Sequence, residues 1–462
     1  MTETESPGEP ERVSGGPGLA PRIGLFDATM LVMGGIVGAG IFVNPYVVAR
    51  LVHTPAAILG AWALGGVMAL LGAFVYAELA ARMPDAGGQY AYLREAYHPS
   101  LAFLYGWVLL LVIQTGGMAA VAITFAFYFV ELTALPVAVP AVAALALTAL
   151  ALVNCLGVRA GTAIQSLLMV LKILAILALV TGAGWYLTRV GGPVVPSRPA
   201  PSTGLVALLT AMVPVLFAYG GWQTANFVAE EVREPRRNLP RALILGVSGV
   251  VILYLAVNYV CVRVLGPEGL AATTTPASAV MEAALGRQGA RWIAVGIAIS
   301  TFGFLSQAIL TAPRVYFAMA RDGLFFRAVG RIDPRRRVPT VAILLQAAMA
   351  IVIALSGRYD QILSYVVAMD FLFFGLTATC LFVFRRRERR GGSALGSGDG
   401  PQSRMPGHPV TTAVFAGASW LIVANAFVQY PVNSTIGLAI LAAGVPAYAL
   451  WQRSSRRRNG IA

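Results

Sequence analysis

The sequence predicts an all-α, polytopic membrane protein, and three observations lead to that prediction. Hydrophobic residues make up 58% of the 462 residues, charged residues make up 12%, and the mean hydropathy is +0.74. A soluble domain carries about 25% charged residues. The apolar residues also gather into stretches of roughly 20, the length that an α-helix needs to cross a bilayer. We expect about twelve spans, numbered 1 to 12, with centres near residues 37, 70, 115, 145, 174, 216, 252, 300, 347, 372, 420 and 442.

Arginines flank the spans unevenly. If the N-terminus is cytoplasmic, the loops on its side hold the dense groups, and the opposite loops hold only scattered arginines such as Arg50 and Arg263. The dense groups are Arg233, Arg236, Arg237, Arg241, 335–337, 385–390 apart from Glu388, and 456–458. An excess of basic residues marks cytoplasmic loops. We therefore expect a plasma (inner) membrane protein of bacterial type with both termini in the cytoplasm, and the same placement explains the net charge of +14 without a nucleic-acid partner.

Polar segments divide the chain. We expect a disordered cytoplasmic tail, a first half with spans 1 to 5, an extracellular loop, a second half with spans 6 to 10, a flexible low-complexity cytoplasmic linker, spans 11 and 12, and a basic cytoplasmic tail. The boundaries, in that order, are 1–21, 22–187, 188–203, 204–387, 388–409, 410–452 and 453–462.

Residues for enzymatic or metal chemistry are not grouped in this sequence. The cysteines stand singly in apolar stretches, at Cys155, Cys261 and Cys380. We expect no metal site and no cofactor. The sequence also has no phosphate-binding loop, no Gly-x-Ser-x-Gly elbow and no His-Glu-x-x-His motif. The protein is therefore not predicted to be an enzyme.

One lysine stands among the 34 Lys and Arg residues, and it lies inside span 5. A charge at this depth costs a few kcal/mol and usually faces a partner, a cavity or a pathway. The alternative is a snorkelling side chain that carries its charge to the headgroups. However, Lys172 lies roughly 12 residues, or about 18 Å, from the expected helix start near Ala160. We interpret Lys172 as a coupling residue.

Spans 1 and 6 each contain a glycine-rich interruption, at 34–42 (GGIVGAGIF) and at 214–222 (PVLFAYGGW). Such interruptions at matching positions of two halves indicate a transporter site built on an inverted repeat. Where a helix breaks, one half ends in free carbonyls and the next begins with free amides. A zwitterion fits this arrangement. We expect its carboxylate near Ala39 and Gly40, and its ammonium near Ile36 and the carbonyls of the span 6 break; the alternative is that Gly34 and Gly38 only let helices pack closely.

Five stretches in order resemble the amino acid-polyamine-organocation superfamily, most closely its L-type amino-acid transporter branch and bacterial relatives. They are GGIVGAGIFVNP from Gly34, YAELAARMPDAGGQYAYLREAY from Tyr76, Lys172, FAYGGWQTANFVAEEVREPRRNLPRA from Phe217 and STFGFLSQAILTAPRVYFAMARDG from Ser300. The resemblance implies a permease of the leucine-transporter fold. Its discontinuous helices 1 and 6 open two inverted repeats of five helices each, helices 11 and 12 lie outside the repeats, and amino acids are carried by alternating access.

The resemblance also implies roles for individual residues. Carbonyls of Ile36, Phe217 and Gly220 would bind the substrate ammonium, and amides around Gly38, Ala39 and Gly40 would bind its carboxylate. Phe217 would also be an aromatic gate. Lys172 matches a helix 5 lysine that stands where sodium-coupled relatives hold an ion, so sodium coupling is not expected. The side-chain pocket would hold Trp222, Gln223, Asn226, Ser300, Thr301 and Phe302. The alternative for Trp222 and Phe302 is core packing.

Acidic residues in or near the spans are expected at gates or in hydrated cavities. Glu78, Asp370 and Asp27 each have an arginine as a possible partner, and for Asp27 that partner is Arg22. We interpret Glu230 and Glu231 instead as a solvated helix end beside topology-setting arginines.

The predicted function is transport of neutral L-amino acids, because none of the expected pocket residues is acidic. Exchange, proton-coupled uptake and uniport remain open. The alternatives are a cationic amino-acid or polyamine carrier and a membrane sensor that binds amino acids without moving them. Animal members of the L-type branch join a heavy chain through a cysteine in the loop between helices 3 and 4. The corresponding loop here, 131–136, has no cysteine. We therefore expect no covalent heavy-chain partner, and the oligomeric state is left open.

Overall fold

The computed structural model describes residues 21–190, 204–356, 359–390 and 403–458. Most of the predicted N-terminal tail and the predicted loop after residue 190 lie outside these ranges. So do residues 391–402 of the predicted linker and the last four residues of the chain. Within the described ranges the chain is helical and has no strand, which confirms the all-α prediction; a single bridge joins Ile23 to Val232.

The first half of the chain forms eight α-helices. They are α1 (Leu25–Ile36), α2 (Gly40–Val52), α3 (Pro55–Arg82), α4 (Gln89–Ala96), α5 (Pro99–Val108), α6 (Gln114–Thr133), α7 (Val139–Cys155) and α8 (Val158–Val190). A π-helical turn, Leu109–Ile113, joins α5 and α6 into one long element.

The second half also forms eight α-helices. They are α9 (Leu205–Tyr219), α10 (Pro235–Ala272), α11 (Pro276–Thr311), α12 (Pro313–Arg321), α13 (Thr340–Ser356), α14 (Tyr359–Arg389), α15 (Val410–Gln429) and α16 (Pro431–Arg458). A 3₁₀ segment, Trp222–Glu231, follows α9.

Ten elements in the described ranges are long and apolar enough to cross a membrane, so the polytopic prediction is confirmed. Two further apolar helices are shorter, Val139–Cys155 and Thr340–Leu355. They stand where spans 4 and 9 are predicted. The full count of twelve therefore stays a prediction.

Several helix starts follow from local sequence. At the start of α3, the Thr54 hydroxyl accepts a hydrogen bond from the Ala57 amide at 3.2 Å, and Pro55 occupies the first helical position. Proline also opens α5, α10, α11 and α12. Proline is favoured there because the first amides of a helix have no partner inside it.

Spans 1 and 6 lie at the centre of the bundle. The helix α1 packs against α10, α8, α11 and the 3₁₀ segment, while α2 packs against α9 and α10. Most residues of α1 and α2 are buried. In contrast, α15 and α16 expose much of their apolar surface, as expected for helices outside the main bundle. The interruptions in spans 1 and 6 are therefore surrounded by protein.

A buried ion pair fixes the end of the 3₁₀ segment. Glu231 and Arg314 are both fully buried, and the guanidinium donates two hydrogen bonds to the carboxylate, at 2.7 and 3.2 Å. The solvated interpretation of Glu231 is therefore wrong. Neighbouring arginines in the sequence suggested a surface, but the partner comes from α12. Glu230 is partly exposed and pairs with Arg321 at 3.1 Å.

Replacing Arg314 with Leu should destabilise the protein strongly, because it leaves the Glu231 carboxylate buried and unpaired. We expect the free energy of unfolding to fall by about 3–5 kcal/mol. Reversible unfolding in mixed detergent micelles would measure the change.

A matched control is Arg237→Leu. Arg237 pairs with Glu234 at 3.6 Å, but both side chains are more than half exposed. Exposed pairs contribute about 0–1 kcal/mol. Equal losses for the two substitutions would contradict a structural role for the buried pair.

Candidate functional site

Two helix interruptions face each other at mid-bundle. In span 1, α1 ends at Ile36, Val37 is extended with ψ 95°, and α2 begins at Gly40. In span 6, α9 ends at Tyr219, Gly220 is extended with ψ 158°, and Gly221 has a left-handed φ of 109°. The predicted discontinuity of both helices is thus confirmed.

Glycines let the two interruptions touch. A Cβ on Gly221 would lie 2.0 Å from the Gly35 carbonyl oxygen, and a Cβ on Gly35 would lie 2.7 Å from the Gly221 oxygen. Similarly, a Cβ on Gly40 would lie 2.8 Å from the Ala218 Cα. Only glycine permits backbones this close, and a positive φ favours it at Gly221 as well. The contact joins the start of α2 to the end of α9.

The packing alternative for the other two glycines of span 1 is partly supported. A Cβ on Gly34 would lie 2.0 Å from the side chain of Gln165 on α8. A Cβ on Gly38 would lie 3.1 Å from the Phe304 ring on α11. Gly34 therefore serves close helix packing, whereas Gly38 also reaches the cavity described next.

A cavity of about 70 Å³ lies where the interruptions meet. Seven of the predicted site residues line it: Ile36, Gly38, Ala39, Gly40, Phe217, Gly220 and Gln223. Its other lining residues come from α1, where Gly35 contributes, from the π turn and α6, from α9 and the residues that follow it, from α11 and from α14. The structure therefore brings these seven residues together around one space, and their role in substrate binding stays a prediction.

Other predicted pocket residues lie outside the cavity lining. The Trp222 ring packs on Phe374, with centroids 4.9 Å apart, and closely approaches Gly72 on α3. Asn226 instead packs against Gly88, and a Cβ there would lie 2.8 Å from it. The packing alternative thus describes Trp222 better than a pocket role.

On α11, the cavity-facing residues are Phe304 and Gln307. Ser300 shares their face by helical spacing but lies one turn earlier. The Thr301 hydroxyl donates to the Ile297 carbonyl of its own helix at 2.9 Å. Phe302 packs on Phe125, with centroids 5.3 Å apart. These three predicted residues do not line the cavity.

Gln307 and Thr224, which the sequence did not single out, support the span 6 interruption together with the predicted Gln223. Gln307 donates through Nε2 to the Thr224 hydroxyl at 2.6 Å, and that hydroxyl donates to the Gly221 carbonyl at 2.7 Å. The Gly221 amide donates to Gln223 Oε1 at 3.1 Å. Isolated polar residues within apolar stretches, such as Gln307 and Gln114, are the signal that could have revealed this lining.

Tyr254 joins the two interruptions from α10. Its hydroxyl lies 3.0 Å from the Ile36 carbonyl oxygen and 3.2 Å from that of Ala218. Both oxygens belong to helix ends, where carbonyls lack an intrahelical partner. The single phenol proton can be donated to either carbonyl, so one tyrosine lies within hydrogen-bond distance of backbone groups on both sides of the contact.

Lys172 lies behind the span 1 interruption and does not line the cavity. Its Nζ donates to the Val37 carbonyl at 2.6 Å and lies 3.5 Å from that of Gly34. The side chain is fully buried, so it does not snorkel. A Cβ on Gly303 would lie 2.7 Å from Lys172 Cε, so α11 packs directly on the lysine. Lys172 thus connects spans 1, 5 and 8.

The three predicted acidic residues have different surroundings. Glu78 is buried and accepts hydrogen bonds from Arg82 at 2.8 Å, from Arg385 at 2.6 Å and from the Met405 amide at 2.7 Å. Asp27 accepts from the Ser166 hydroxyl on α8 at 2.9 Å, where Arg22 was expected. Asp370 lines the cavity, so the pocket does contain an acidic side chain.

Comparison with known proteins identifies the family. The model of the "Amino acid permease" family matches residues 23–447. The human "Large neutral amino acids transporter small subunit 2" is 31% identical over 98% of this chain and 85% of its own length. The "Serine/threonine exchanger SteT" of Bacillus subtilis is 28% identical, over 93% of this chain and 97% of its own. The human "b(0,+)-type amino acid transporter 1" is 31% identical, over 79% and 76%. The chain therefore belongs to the amino acid permease family.

Proposed function

We propose that the protein is a secondary transporter that exchanges neutral L-amino acids across the plasma membrane by alternating access. The observation that carries the proposal is the cavity at the contact of the two interrupted helices. There, backbone amides and carbonyls of interrupted helix ends meet in one small space. Relatives named for large neutral amino acids and for serine/threonine exchange support the substrate class and the exchange mode.

The proposed pose of the substrate follows from the polarity of the helix ends. The start of α2 directs amides of Ala39 and Gly40 and a partial positive charge at the cavity, which suits a carboxylate. The carbonyls of Ile36, Phe217 and Gly220 suit an ammonium. Tyr254 already donates to the Ile36 carbonyl, whose oxygen keeps a second lone pair for the substrate.

We assign the coupling role to Lys172. Its ammonium holds the Val37 carbonyl in the interrupted segment of span 1, one residue from the cavity-lining Ile36 and Gly38. A change in the span 1 backbone on substrate binding would therefore reach α8 and α11 through this one side chain. Phe217 remains the proposed aromatic gate, because it lines the cavity and is only half-buried.

The five-plus-five repeat has support from the order of the elements. The first span of each half is interrupted, and the fourth span of each half is a short helix of 17 residues, α7 and α13. An interrupted helix and a short helix thus recur at the same positions, first and fourth, in each half. Together with the arginine bias they support twelve spans and two cytoplasmic termini.

We also propose that no heavy chain is covalently attached, although one relative is named a small subunit. All three cysteines, Cys155, Cys261 and Cys380, are buried. A disulfide to another chain needs an accessible thiol, and the loop between α6 and α7 contains none.

Liposomes holding the purified protein would test the transport mode. We expect labelled alanine, serine or leucine to enter only when unlabelled amino acid is present inside, because an exchanger returns only when loaded. Uptake into empty vesicles driven by a pH gradient would indicate proton symport instead. Competition by arginine or putrescine would point to a cationic carrier, and binding without flux would point to a sensor.

Replacing Lys172 with Ala should reduce exchange at least about tenfold, while substrate binding and folding are largely kept, because a buried charge-assisted hydrogen bond to span 1 is lost. Exchange in liposomes and binding in detergent would measure the two effects. The control is Arg189→Ala on the same helix, an exposed residue whose guanidinium lies over Trp185. Equal losses in the two variants would contradict the coupling role.

Replacing Gly40 with Ala should abolish substrate binding, because the added Cβ would push α9 away at Ala218 and disrupt the contact that shapes the cavity. Gly60→Ala on α3 is the control, since a Cβ there meets no atom within 4 Å. Calorimetric titration of both variants with a transported amino acid would measure affinity. Unchanged affinity in Gly40→Ala would leave Gly40 with a packing role only.

A further inference from the structure

Asp370 is a buried acid that neither the sequence motifs nor the proposed pose has used. It lies on α14, lines the cavity and is 9% exposed. Its Oδ1 has no hydrogen-bond partner within the described part of the chain. A buried carboxylate oxygen without a partner is costly unless a ligand or a proton satisfies it.

No protein cation compensates this carboxylate among the described residues. The ion pairs there join other acids, and Asp370 takes part in none of them. Lys172 donates to span 1 carbonyls and does not line the cavity. A positive charge from the substrate is therefore the natural partner.

The position of Asp370 distinguishes the α-ammonium from a charged side chain. A Cβ on Gly220 would lie 3.9 Å from Asp370 Oδ2, so the carboxylate stands beside the span 6 interruption. The carbonyls proposed for the ammonium belong to that same segment. The start of α2 touches it as well, through Gly40 and Ala218. The ammonium and the carboxylate of an amino acid are carried on one carbon atom, so the ammonium can reach Asp370 while the carboxylate reaches the start of α2.

The remaining cavity lining suits an uncharged side chain. The residues away from the interruptions include the apolar Ile113, Val121, Phe304 and Val366. A second ammonium on the substrate would be placed against this apolar surface, where desolvation is costly. The carboxylate of Asp370 is thus compatible with neutral amino acids as substrates.

We propose that Asp370 is the counter-ion of the substrate α-ammonium. The inference rests on the proposed function, and it adds a negatively charged partner for the ammonium to a pose that had only neutral carbonyls. The carboxylate accepts a charge-assisted hydrogen bond from the ammonium, and this bond is stronger than those that the neutral carbonyls of Phe217 and Gly220 accept from it. The site would therefore select for a protonated amine, and the α2 amides would select separately for the carboxylate.

The test is a double-mutant cycle between Asp370 and the amino group of the substrate. Calorimetry on the purified protein would compare leucine with 4-methylpentanoate, which is leucine without its amino group. We expect Asp370→Asn to weaken leucine binding about 10- to 100-fold, the range for a hydrogen bond to a charged group. The same substitution should not weaken binding of 4-methylpentanoate. The effects of removing the carboxylate and of removing the amino group are then coupled.

Three further variants complete the design. Asp370→Glu keeps the charge and should recover part of the leucine affinity. Asp370→Ser is a second neutral variant in case Asn does not fold. Glu282→Gln removes an equal charge from an exposed position on α11 and should leave the affinity unchanged.

Failure of the counter-ion proposal can be distinguished from failure of the proposed function. Unchanged leucine affinity in both neutral variants would overturn the counter-ion proposal and leave transport intact. Weakened lysine binding with unchanged leucine binding would also overturn it, in favour of a side-chain cation site. If the unaltered protein bound no amino acid of the panel and moved none, the proposed function itself would fail.

Discussion

The two interrupted backbones approach each other closely at Gly35 and Gly221, and this contact sets what the helices around it must supply. Inside a bilayer, backbone groups released by a broken helix need partners supplied by the protein. Tyr254 and Lys172 donate to carbonyls of span 1, and Thr224 donates to the Gly221 carbonyl. These side chains come from α10, α8 and the 3₁₀ segment, so the surrounding helices are needed for the interruptions to exist. The first amides of α2 have no partner inside their own helix, and we propose that they bind the substrate carboxylate.

The ends of the interrupted spans are also tied together, near the arginine-rich end of the bundle. Ile23, just before α1, lies opposite Val232, just after the 3₁₀ segment; its amide donates to the Glu231 carbonyl and its carbonyl accepts from the Arg233 amide. The buried Glu231–Arg314 pair then anchors the same segment to α12. Spans 1 and 6 are thus connected both at the cavity and at this end. Opening a path from the cavity toward that end would require these contacts to move as a unit.

The sequence was sufficient for features that depend on local composition. Span positions follow from apolar length, the interruptions from glycine and proline, and the burial of Lys172 from its depth in span 5. The direction in which individual side chains point was harder to predict. Beyond Gly221 the chain adopts 3₁₀ geometry with three residues per turn, which changes the direction of Trp222 and Asn226 relative to an α-helix. The partner of Glu231 comes from α12, 83 positions away, and no local pattern indicates it.

Asp370 shows why the chemistry of the cavity needed the structure. The residues around it, VVAMDFLFF, are apolar on every side, so periodicity does not indicate which face of α14 points inward. The rotation of α14 is fixed by its packing on α15, α16 and α6. That packing turns the single carboxylate toward the Gly220 segment, while Lys172 approaches span 1 outside the cavity lining. Lys172 therefore holds the protein's own backbone, whereas we propose that Asp370 serves the substrate.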